Sequence, residues 1–420
     1  MAFRFIDLFA GIGGFHIALS QMGGKCVLAS EIDKSAADVY ARNFAKTDMY
    51  GPIVGDIVAL TEPKVDKVIP QHDVLVGGFP CQPFSKGGLQ LGINETRGTL
   101  FYNIAKILEA RKPKFILLEN VRNLTGPKHH HTWALIIRTL RDLGYHVSDI
   151  PTIFSPHLLS PDEGGSPQVR DRVYIFGYHV GAKKAWELAD ENFHIPYEAS
   201  KGWKTTNWNL EKHLLEKDSK IKNIEKYRIS TDRERALEIW EDFLKSVGDQ
   251  SGSRQLPGFP LWEFAMVSDP ELTEDLPDWK IDFLKKNSAF FIANRREITA
   301  WRKRHPELKN MQNSYRKFEW QAGNTDSVWK TAIQFRPSGI RVKKPDYLPA
   351  LVAMNQTSFI GSRRRTITVR EAARLQTFPD TYEFAPQGDA LSYKQLGNAV
   401  SVGVVKYVFS EFLKMTKNVI

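Results

Sequence analysis

Short apolar runs recur through the first 120 residues, and each ends close to a glycine or a carboxylate. Unbroken apolar runs are typical of strands that are covered on both faces, as in parallel sheets. Helical periodicity separates the runs, so the pattern predicts an α/β fold with a doubly wound parallel sheet over residues 1 to about 180. The predicted strands end at these residues: Phe9, Glu31, Asp56, Phe79 and Glu119.

Two amphipathic helices are predicted after the fourth run. The first opens at Thr99 and extends through Leu108. The second covers Trp133 through Leu143 and is ended by Gly144, because glycine readily adopts the left-handed conformation found after helix ends. A strand pattern then resumes at residues 147–150. The alternation of strands and helices therefore continues beyond the fifth run.

Two further helices are predicted near the C-terminus. Thr368 is expected to cap one of them, with Glu371 at the third helical position completing a capping box. The last helix is predicted to start near Tyr393 and to join the first domain.

From about residue 182 to residue 331, the alternation of apolar runs and helical patterns seen in the first part of the chain is lost. Helical periodicity at 237–244 and at 279–301 is interrupted by the Gly-, Ser- and Pro-rich stretch 248–260. Eight tryptophans are concentrated in this region, where they either anchor a core or stack on bases, and a core role is the default for most of them. They are Trp203, Trp208, Trp240, Trp262, Trp279, Trp301, Trp320 and Trp329. We therefore predict three parts: residues 1–181, 182–392 and 393–420.

The chain of 420 residues is long enough for two or three domains. No apolar run approaches the ~20 residues of a membrane span, and residues 1–4 lead straight into a strand rather than a signal peptide. We therefore expect a cytoplasmic protein without a membrane partner. Of the two cysteines, Cys26 reads as a strand residue without chemistry, and Cys81 is expected to be a free thiol.

The formal net charge of +10 suits a polyanionic partner, although charge alone decides little. Local clusters add weight, because neutralising phosphates requires lysines and arginines on one face. One cluster is Arg363-Arg364-Arg365, and another extends from Arg295 to Arg304. A solvated helix face explains the second cluster equally well.

Cys81 lies between two prolines and among glycines, in the loop of residues 77–88. Proline restricts the backbone and glycine lets a ligand come close, which suits an exposed, oriented thiolate nucleophile. The alternative is a small buried hydrophobic residue, for which this is a poor core position.

A tight glycine turn at residues 10–15 follows the first strand. Such a turn lets the backbone approach a ligand at a helix start, and an acid about twenty residues later, here Glu31, can hold ribose hydroxyls. The dinucleotide fingerprint would place glycine where His16 stands, so a pyrophosphate site is not indicated.

The residues Phe79-Pro80-Cys81-Gln82 resemble the nucleophile loop of the DNA cytosine-5 methyltransferases. Other stretches resemble motifs of that family in the family's order, and ordered motifs are far more specific than one alone. They are the turn at 10–15, residues 119–121, 168–172, 365–376 and 393–400. The resemblance covers about the first 180 and the last 60 to 80 residues, and it points to the bacterial or phage restriction-modification type.

The resemblance implies a Rossmann-like, S-adenosylmethionine-dependent catalytic domain with a second, smaller target-recognition domain in the middle region. It implies that Cys81 is the nucleophile, that Glu119 holds the target cytosine at N3, and that Arg172 contacts O2, with Arg170 for support or phosphate binding. The implied contacts to S-adenosyl-L-methionine are Phe9, Gly11, Gly14, Glu31, Ile32, Asp56, Ile57, Pro80 and Asn398. The implied DNA contacts are Gln82, Ser85, Arg97, Gln168, Arg363 and Arg364.

Simpler roles remain open for some of these residues. Asp33 and Asp56 would also serve as caps of the following helices, which is the favoured role for Asp33. Glu119 would also serve as a helix cap or ion-pair partner. The long loop at 155–165 has no assigned role. No metal site is expected at His129-His130-His131, since consecutive helical residues point in different directions.

The resemblance implies methyl transfer from S-adenosylmethionine to C5 of a flipped-out cytosine in a specific double-stranded DNA sequence. It implies a monomeric type II modification enzyme, and it is compatible with a cognate restriction endonuclease that acts separately. The alternative is a tRNA-type cytosine-5 RNA methyltransferase, although that branch largely lacks the long middle region. A nicotinamide or flavin enzyme would not need the Pro-Cys-Gln loop, and a binding-only relative would be expected to have lost the nucleophile or the acid. A eukaryotic maintenance enzyme would carry large regulatory domains.

Overall fold

The computed structural model describes residues 2–45, 53–62, 65–80, 99–247, 256–351, 357–384 and 386–416. The chain divides into two compact units. The first comprises Met1–Trp208, Pro349–Ala353 and Ala372–Ile420, and the second comprises Asn209–Leu348 and Met354–Glu371. The predicted α/β class with a second, smaller unit is confirmed.

Among the described residues, nine strands lie wholly in the first unit, together with most of the helices. Its strands are β1 (Phe3–Leu8), β2 (Gly24–Ser30), β3 (Ile53–Val54), β4 (Val74–Gly78), β5 (Phe115–Val121), β6 (Tyr145–Val147), β7 (Thr152–Phe154), β8 (Gln168–Val169) and β9 (Arg172–His179). Its first helices are α1 (Gly14–Ser20), α2 (Lys34–Phe44), α3 (Ile57–Thr61), α4 (Val65–Val68), α5 (Leu100–Arg111), α6 (His130–Asp142) and α7 (Ala182–Glu187).

The main sheet has the strand order β3-β2-β1-β4-β5-β9-β6, and β7 also pairs with β9. The first five strands run parallel, as predicted, and their ends lie within two residues of the predicted positions. Strand β9 runs antiparallel to β5, and β6 and β7 each pair antiparallel with β9, so the sheet is mixed. The prediction of a strand at residues 147–150 was wrong, because β6 ends at Val147 and β7 begins only at Thr152.

One face of the main sheet packs on a cluster that includes Ile6, Leu75, Ile104 and Ile137. On the other side, rings of the C-terminal helix contact the strands, with the Phe412 ring 5.7 Å from the ring of Phe115. Stacked apolar faces of this kind bury a strand on both sides, which is why the strands read as unbroken apolar runs.

The last helices of the chain are α12 (Val369–Leu375), α13 (Asp389–Asn398) and α14 (Val402–Thr416). Near the start of α14, Gly403 lies against the backbone of Gly164, and a Cβ atom at Gly403 would overlap the carbonyl oxygen of Gly164. Glycine at position 403 is therefore required by the close approach of two backbones. The predicted capping box of α12 is confirmed, since Thr368 N donates to Glu371 and Glu371 N donates to Thr368 Oγ1.

The second unit contains a six-stranded sheet with the order β10-β11-β13-β12-β15-β16. The remaining strands are β10 (Leu261–Trp262), β11 (Lys317–Gln321), β12 (Ala332–Arg336), β13 (Gly339–Lys343), β14 (Leu348–Pro349), β15 (Phe359–Ile360) and β16 (Arg365–Thr366). The remaining helices are α8 (Leu210–His213), α9 (Thr231–Val247), α10 (Asp278–Ala293) and α11 (Arg295–Arg304).

Tryptophans anchor the core of the second unit, as the default interpretation predicted for most of them. Trp240 and Trp301 are completely buried, whereas Trp279 is 59% exposed. The single helix predicted at 279–301 is instead two helices, because Asn294 leaves the helical conformation between α10 and α11.

The boundaries of the compact units differ from the predicted divisions at 181 and 392. Residues 182–208 and 372–384 lie in the first unit. Trp208 donates its indole N–H to His157 O at 2.8 Å, and the Tyr382 hydroxyl donates to Ile12 O. The assignment of target recognition to the middle region stays a prediction. No helix among the described residues is long and apolar enough to cross a bilayer.

Asp7 is a buried acid at the end of β1, directly below the glycine turn. It is completely buried, and neither carboxyl oxygen has a hydrogen-bond partner in the described part of the chain. Burial raises the pKa of Asp7 well above its usual range, the nearby backbone N–H of His16 opposes this shift, and the charge of Glu31 adds to it. Between the unfolded pKa and the raised folded pKa, the folded protein therefore holds a proton at Asp7 that the unfolded chain releases.

Stability is expected to fall as the pH rises from the unfolded pKa of about 3.9 through the higher folded pKa of Asp7. Asp7→Asn removes this titration in a side chain of the same shape. Between pH 5 and pH 8, the free energy of unfolding of the variant is expected to fall less than that of the wild type. The difference is ~1.4 kcal/mol for each unit by which folding shifts the pKa of Asp7 within that range. Urea unfolding at several pH values measures the difference, and parallel stability curves for the two proteins would contradict the assignment.

Candidate active site

A cavity of about 450 Å³ lies at the carboxyl edge of the parallel strands in the first unit. Doubly wound sheets bind their ligands at this edge. The residues that line the cavity come from the ends of β1, β2, β4 and β5 and the turns after them, and from the starts of α2 and α5. Arg170, Arg172 and α13 complete the lining. Most of the side chains predicted to act at strand ends are thus brought together.

The glycine turn forms one wall of the cavity. Gly11 and Gly13 of the turn have φ angles of 55° and 87°, and Phe9 just before it has a φ of 55°, so all three have left-handed backbone conformations. Gly11 N donates to Glu31 Oε2 at 2.7 Å, and Glu31 Oε1 accepts from Asp33 N at 2.8 Å. Glu31 therefore holds the turn and the end of β2 together while it lines the cavity.

An apolar side chain lies beside that acid. Ile32 lines the cavity and is 71% exposed. Asp33 takes the capping role favoured for it, accepting from Ser35 N and Ala36 N at the start of α2. Hydrogen bonding from Ser35 lowers the pKa of Asp33 below its usual range. An exposed apolar contact next to an anchored carboxylate suits a nucleoside, with its flat base and its hydroxyl groups.

Helix α13 supplies the opposite part of the lining. Asn398 was predicted there, and Lys394, Gln395 and Gly397 were missed. Their only signal in the sequence is that they stand within four residues of Asn398, which amounts to about one turn of a helix. Lys394 is exposed and brings a positive charge to the cavity.

An acid–arginine pair occupies the far end of the cavity. The antiparallel pairing of β5 with β9 places Arg172 opposite Val121, two positions from Glu119. Arg172 Nε lies 3.0 Å from Glu119 Oε1, and both side chains are largely buried. Burial raises the pKa of Glu119, while the charges of Arg172 and Arg170 oppose the shift. A carboxyl group with a raised pKa keeps its proton at higher pH and can donate it in a hydrogen bond.

Arg170 lies under this pair as a buried scaffold. Its guanidinium group donates to Leu351 O at 3.0 Å and to Gly397 O and Ala399 O at 2.9 Å. Burial lowers the pKa of Arg170 to about 9, so it keeps its charge at neutral pH. Because Nη1 and Nη2 of Arg170 already donate to three backbone carbonyls, the supporting role is favoured over the phosphate contact.

Asn120 was missed as a site residue. Its side chain donates to Phe79 O at 2.8 Å and accepts from Val121 N at 2.8 Å. It therefore joins the end of β5 to the end of β4, where Pro80 lines the cavity. Its position directly after Glu119 was the available signal.

Three of the predicted cofactor contacts lie outside the cavity lining. Gly14 is buried at the start of α1, where a Cβ atom would lie 2.7 Å from Val400 Cγ2. Asp56 caps α3 by accepting from Val58 N, and Ile57 is buried in the core. The simpler capping role that was left open for Asp56 is therefore the one observed.

The predicted DNA contacts that the structure describes are already occupied or buried. Gln168 is completely buried in β8, which is at odds with a direct DNA contact. Arg363 pairs with Glu211, and Arg364 pairs with Glu234. The positive charge of this cluster is thus largely balanced within the second unit, and a DNA role for the two arginines stays a prediction.

Four predicted site residues lie outside the described residues: Cys81, Gln82, Ser85 and Arg97. Within the described ranges, no group of three or more His, Cys, Asp or Glu side chains is arranged to hold a metal ion.

The cavity thus offers two chemically different ends. One end has an anchored carboxylate, an exposed apolar side chain and backbone N–H groups, which suits a nucleoside. The other has a carboxyl group of raised pKa beside a guanidinium, which suits a flat heterocycle with a ring nitrogen and a carbonyl oxygen. Such a cavity can hold two ligands in contact, as a group transfer requires.

Known proteins resemble this chain over nearly its whole length. The model of a family described as C-5 cytosine-specific DNA methylase matches residues 3–414. The Type II methyltransferase M.AluI of Cellulosimicrobium cellulans is 39% identical over 98% of this chain and 92% of that protein. The Type II methyltransferase M.HgiCI of Herpetosiphon aurantiacus is 33% identical over 98% of both chains. Among solved structures, the S. pombe Dnmt2 methyltransferase is similar, with a TM-score of 0.48 and 18% identity over 98% of this chain and 99% of that chain.

Proposed function

Because this chain belongs to the C-5 cytosine-specific DNA methylase family, we propose that it methylates a flipped-out cytosine in a specific DNA duplex through covalent catalysis by Cys81. The family and the relatives identify a DNA (cytosine-5-)-methyltransferase of the type found in type II restriction-modification systems. The nucleophile, the flipped base and the use of S-adenosyl-L-methionine are the parts that we add.

The observation that carries the proposal is the Glu119–Arg172 pair inside the cavity that Glu31 and the glycine turn also line. A donor of raised pKa and a fixed guanidinium match N3 and O2 of cytosine. These two atoms gain negative charge when a nucleophile adds to the ring, so donors placed there lower the barrier.

The nucleoside end fits S-adenosyl-L-methionine. Glu31 is in place to accept hydrogen bonds from ribose hydroxyls, and Ile32 and Phe9 offer apolar surface to an adenine ring. Asn398 and the backbone near it would hold the methionine part. When bound, this cofactor supplies the electrophilic methyl group that the activated ring carbon takes up.

Cys81 follows Pro80 in the chain, and Pro80 lines the same cavity. The Cys81 thiolate adds to C6 of cytosine, and the electron pair of the C5–C6 double bond moves into the ring. Glu119 donates its proton towards N3, and Arg172 stabilises charge at O2. C5 becomes nucleophilic in this way. After methylation, a water molecule takes the C5 proton, and the C6–S bond breaks as the C5–C6 double bond re-forms. Cys81 leaves as the thiolate, and N3 returns its proton to Glu119.

The target carbon is hidden inside a duplex, so the cytosine has to leave the base stack to reach this cavity. Unstacking costs a few kcal/mol, which contacts to the flipped base offset. Recognition of the surrounding sequence is assigned to the middle region, residues 182–392. We further propose a monomeric cytoplasmic enzyme whose cognate endonuclease, where one exists, acts as a separate protein.

The RNA methyltransferase alternative is not favoured. The similarity to Type II methyltransferases extends over 98% of this chain and therefore includes the middle region. A cytosine-5 enzyme that acts on tRNA would need the same catalytic residues, so substrate choice has to be tested directly.

The purified protein is expected to methylate plasmid DNA at one short sequence in the presence of S-adenosylmethionine, and to leave tRNA unmodified. Bisulfite sequencing of the plasmid and of the RNA measures both outcomes. Reactions without cofactor serve as the control. Methylation of tRNA but not of DNA would establish the alternative, and methylation scattered over all cytosines would remove the claim of a specific site.

A further inference from the structure

The sheet of the second unit has one apolar and one polar face. Phe318, Trp320, Ile340 and Val342 point into the core of that unit. The residues that alternate with them therefore lie on the opposite face of the sheet. They are Lys317, Glu319 and Gln321 on β11, Arg341 and Lys343 on β13, and Gln334 and Arg336 on β12. This set is called the polar face below.

The polar face carries four cations and one carboxylate. Strand register places Glu319 and Gln334 on either side of Arg341, which stands on the central strand β13. A surplus of positive charge on a flat surface complements a polyanion such as DNA.

Glu319 binds both arginines of the polar face. Its Oε2 accepts from Arg336 Nη2, and its Oε1 accepts from Arg341 Nε at 3.0 Å and lies 3.0 Å from Arg341 Nη2. Arg336 and Glu319 are largely buried, with 18% and 13% of their side chains exposed, whereas Arg341 is 33% exposed. Arg341 is therefore the arginine of this group that reaches furthest into solvent.

Glu319 occupies only one edge of the Arg341 fork. Among the described residues, no acceptor takes up Arg341 Nη1, so the outer edge, formed by Nη1 and one N–H of Nη2, is open. Two parallel N–H groups match the O6 and N7 acceptors that guanine presents in the major groove. A phosphate contact needs only a nearby charge, whereas reading a base needs a guanidinium fork of fixed orientation. The carboxylate of Glu319 fixes the orientation of the Arg341 fork.

We propose that Arg341 reads a guanine of the DNA target and that Glu319 is the positioning residue that orients its fork. This inference rests on the proposed function, since it assigns part of the sequence choice of the same enzyme. Lys317 lies on the same face and supplies charge for a neighbouring phosphate, whereas Lys343 is largely buried and lies 3.8 Å from Asp346 Oδ1.

The test compares the site preference of the full-length wild type with that of three variants on a duplex library that is randomised around cytosine. Arg341→Lys keeps the charge but loses the fork. It is expected to lower discrimination for guanine at one position of the site by about 10- to 100-fold, with the other positions and the salt dependence of binding unchanged. Glu319→Gln keeps Arg341 and is expected to lower discrimination for guanine at the same position by a smaller factor.

Arg304→Lys is the matched control. Arg304 lies at the end of α11 in the same unit and also binds a carboxylate edge-on, with Nε and Nη2 at 2.9 and 2.7 Å from Asp242 Oδ2. Its exchange is expected to leave the site preference unchanged. Thermal unfolding of all four proteins shows whether a change comes from lost stability, which would slow methylation at every site alike.

Two results would overturn the inference. An unchanged preference in folded Arg341→Lys would show that the fork reads no base. A uniform loss of binding to all duplexes in Arg341→Lys and Glu319→Gln would show a phosphate-binding or structural role instead. Failure of the proposed function is recognised separately, because the wild type itself would then produce no 5-methylcytosine in the library.

Discussion

Replacing Cys81 by serine is expected to lower turnover by at least about 10³-fold, since removing the nucleophile of a covalent mechanism leaves only binding and charge stabilisation. A serine hydroxyl is almost entirely protonated at neutral pH and is a far weaker nucleophile than a thiolate. Single-turnover methylation of a duplex that contains the mapped site measures the loss.

Binding separates this effect from misfolding. Cys81→Ser is expected to retain its affinity for S-adenosylmethionine and for duplex DNA, because the thiol is proposed to act only in the covalent step. A duplex with 5-fluorocytosine at the target should trap the wild type as a covalent complex, since fluorine cannot leave as a proton does. The serine variant should give no such complex. Full activity of the serine variant would remove the covalent mechanism.

Exchange of Glu119 is expected to have the second largest effect. Glu119→Ala removes the donor to N3 and leaves Arg172 without its ion-pair partner, so a loss of about 10²- to 10³-fold in kcat is expected. Affinity for the cofactor should change little, because Glu119 lies at the heterocycle end of the cavity. Comparable losses of cofactor and DNA affinity, with kcat unchanged, would show that the acid only supports the fold.

The pH dependence gives the sign of the Glu119 effect. Burial raises the pKa of Glu119, and Arg172 and Arg170 oppose the shift. If the protonated form is the active one, the wild-type rate falls as the pH rises through this raised pKa. Glu119→Gln carries a donor that does not titrate, so its lower rate should lack this alkaline limb. A wild-type rate that rises with pH throughout the range would mean that the carboxylate acts as a base.

Much of the catalytic unit is predictable from local sequence. Parallel strands that are buried on both faces have nearly continuous apolar sequences. A residue at the end of such a run therefore lies at the carboxyl edge of the sheet, where ligands bind. Glu31 follows β2, Phe9 follows β1 as an apolar residue, Glu119 lies near the end of β5, and all three line the cavity. The caps at Asp33 and Thr368 were also predictable, since a helix cap depends on side chains within three residues of each other.

Other features were decided by residues that are far apart in the chain. Arg170 is a scaffold because it meets the carbonyls of Leu351, Gly397 and Ala399, which lie about two hundred residues away. The main sheet is mixed because β9 pairs antiparallel with β5, and the apolar runs do not show the direction of a strand. Lys394 and Gln395 reach the cavity through the packing of α13, for which the local sequence held only a faint signal.

The same distinction applies to charge. The triplet at 363–365 reads as a basic cluster, but folding brings Glu211, Glu234 and Glu371 to its three arginines, and the charge is balanced. Conversely, Arg341 was not among the predicted site residues, and the sheet register makes it the centre of a cationic face. Short-range patterns thus determine the elements and the polar residues at their ends. The partner of each charged side chain depends on long-range packing. Ion pairs form between strands and helices that are far apart in the chain, and local sequence does not show which of them become neighbours.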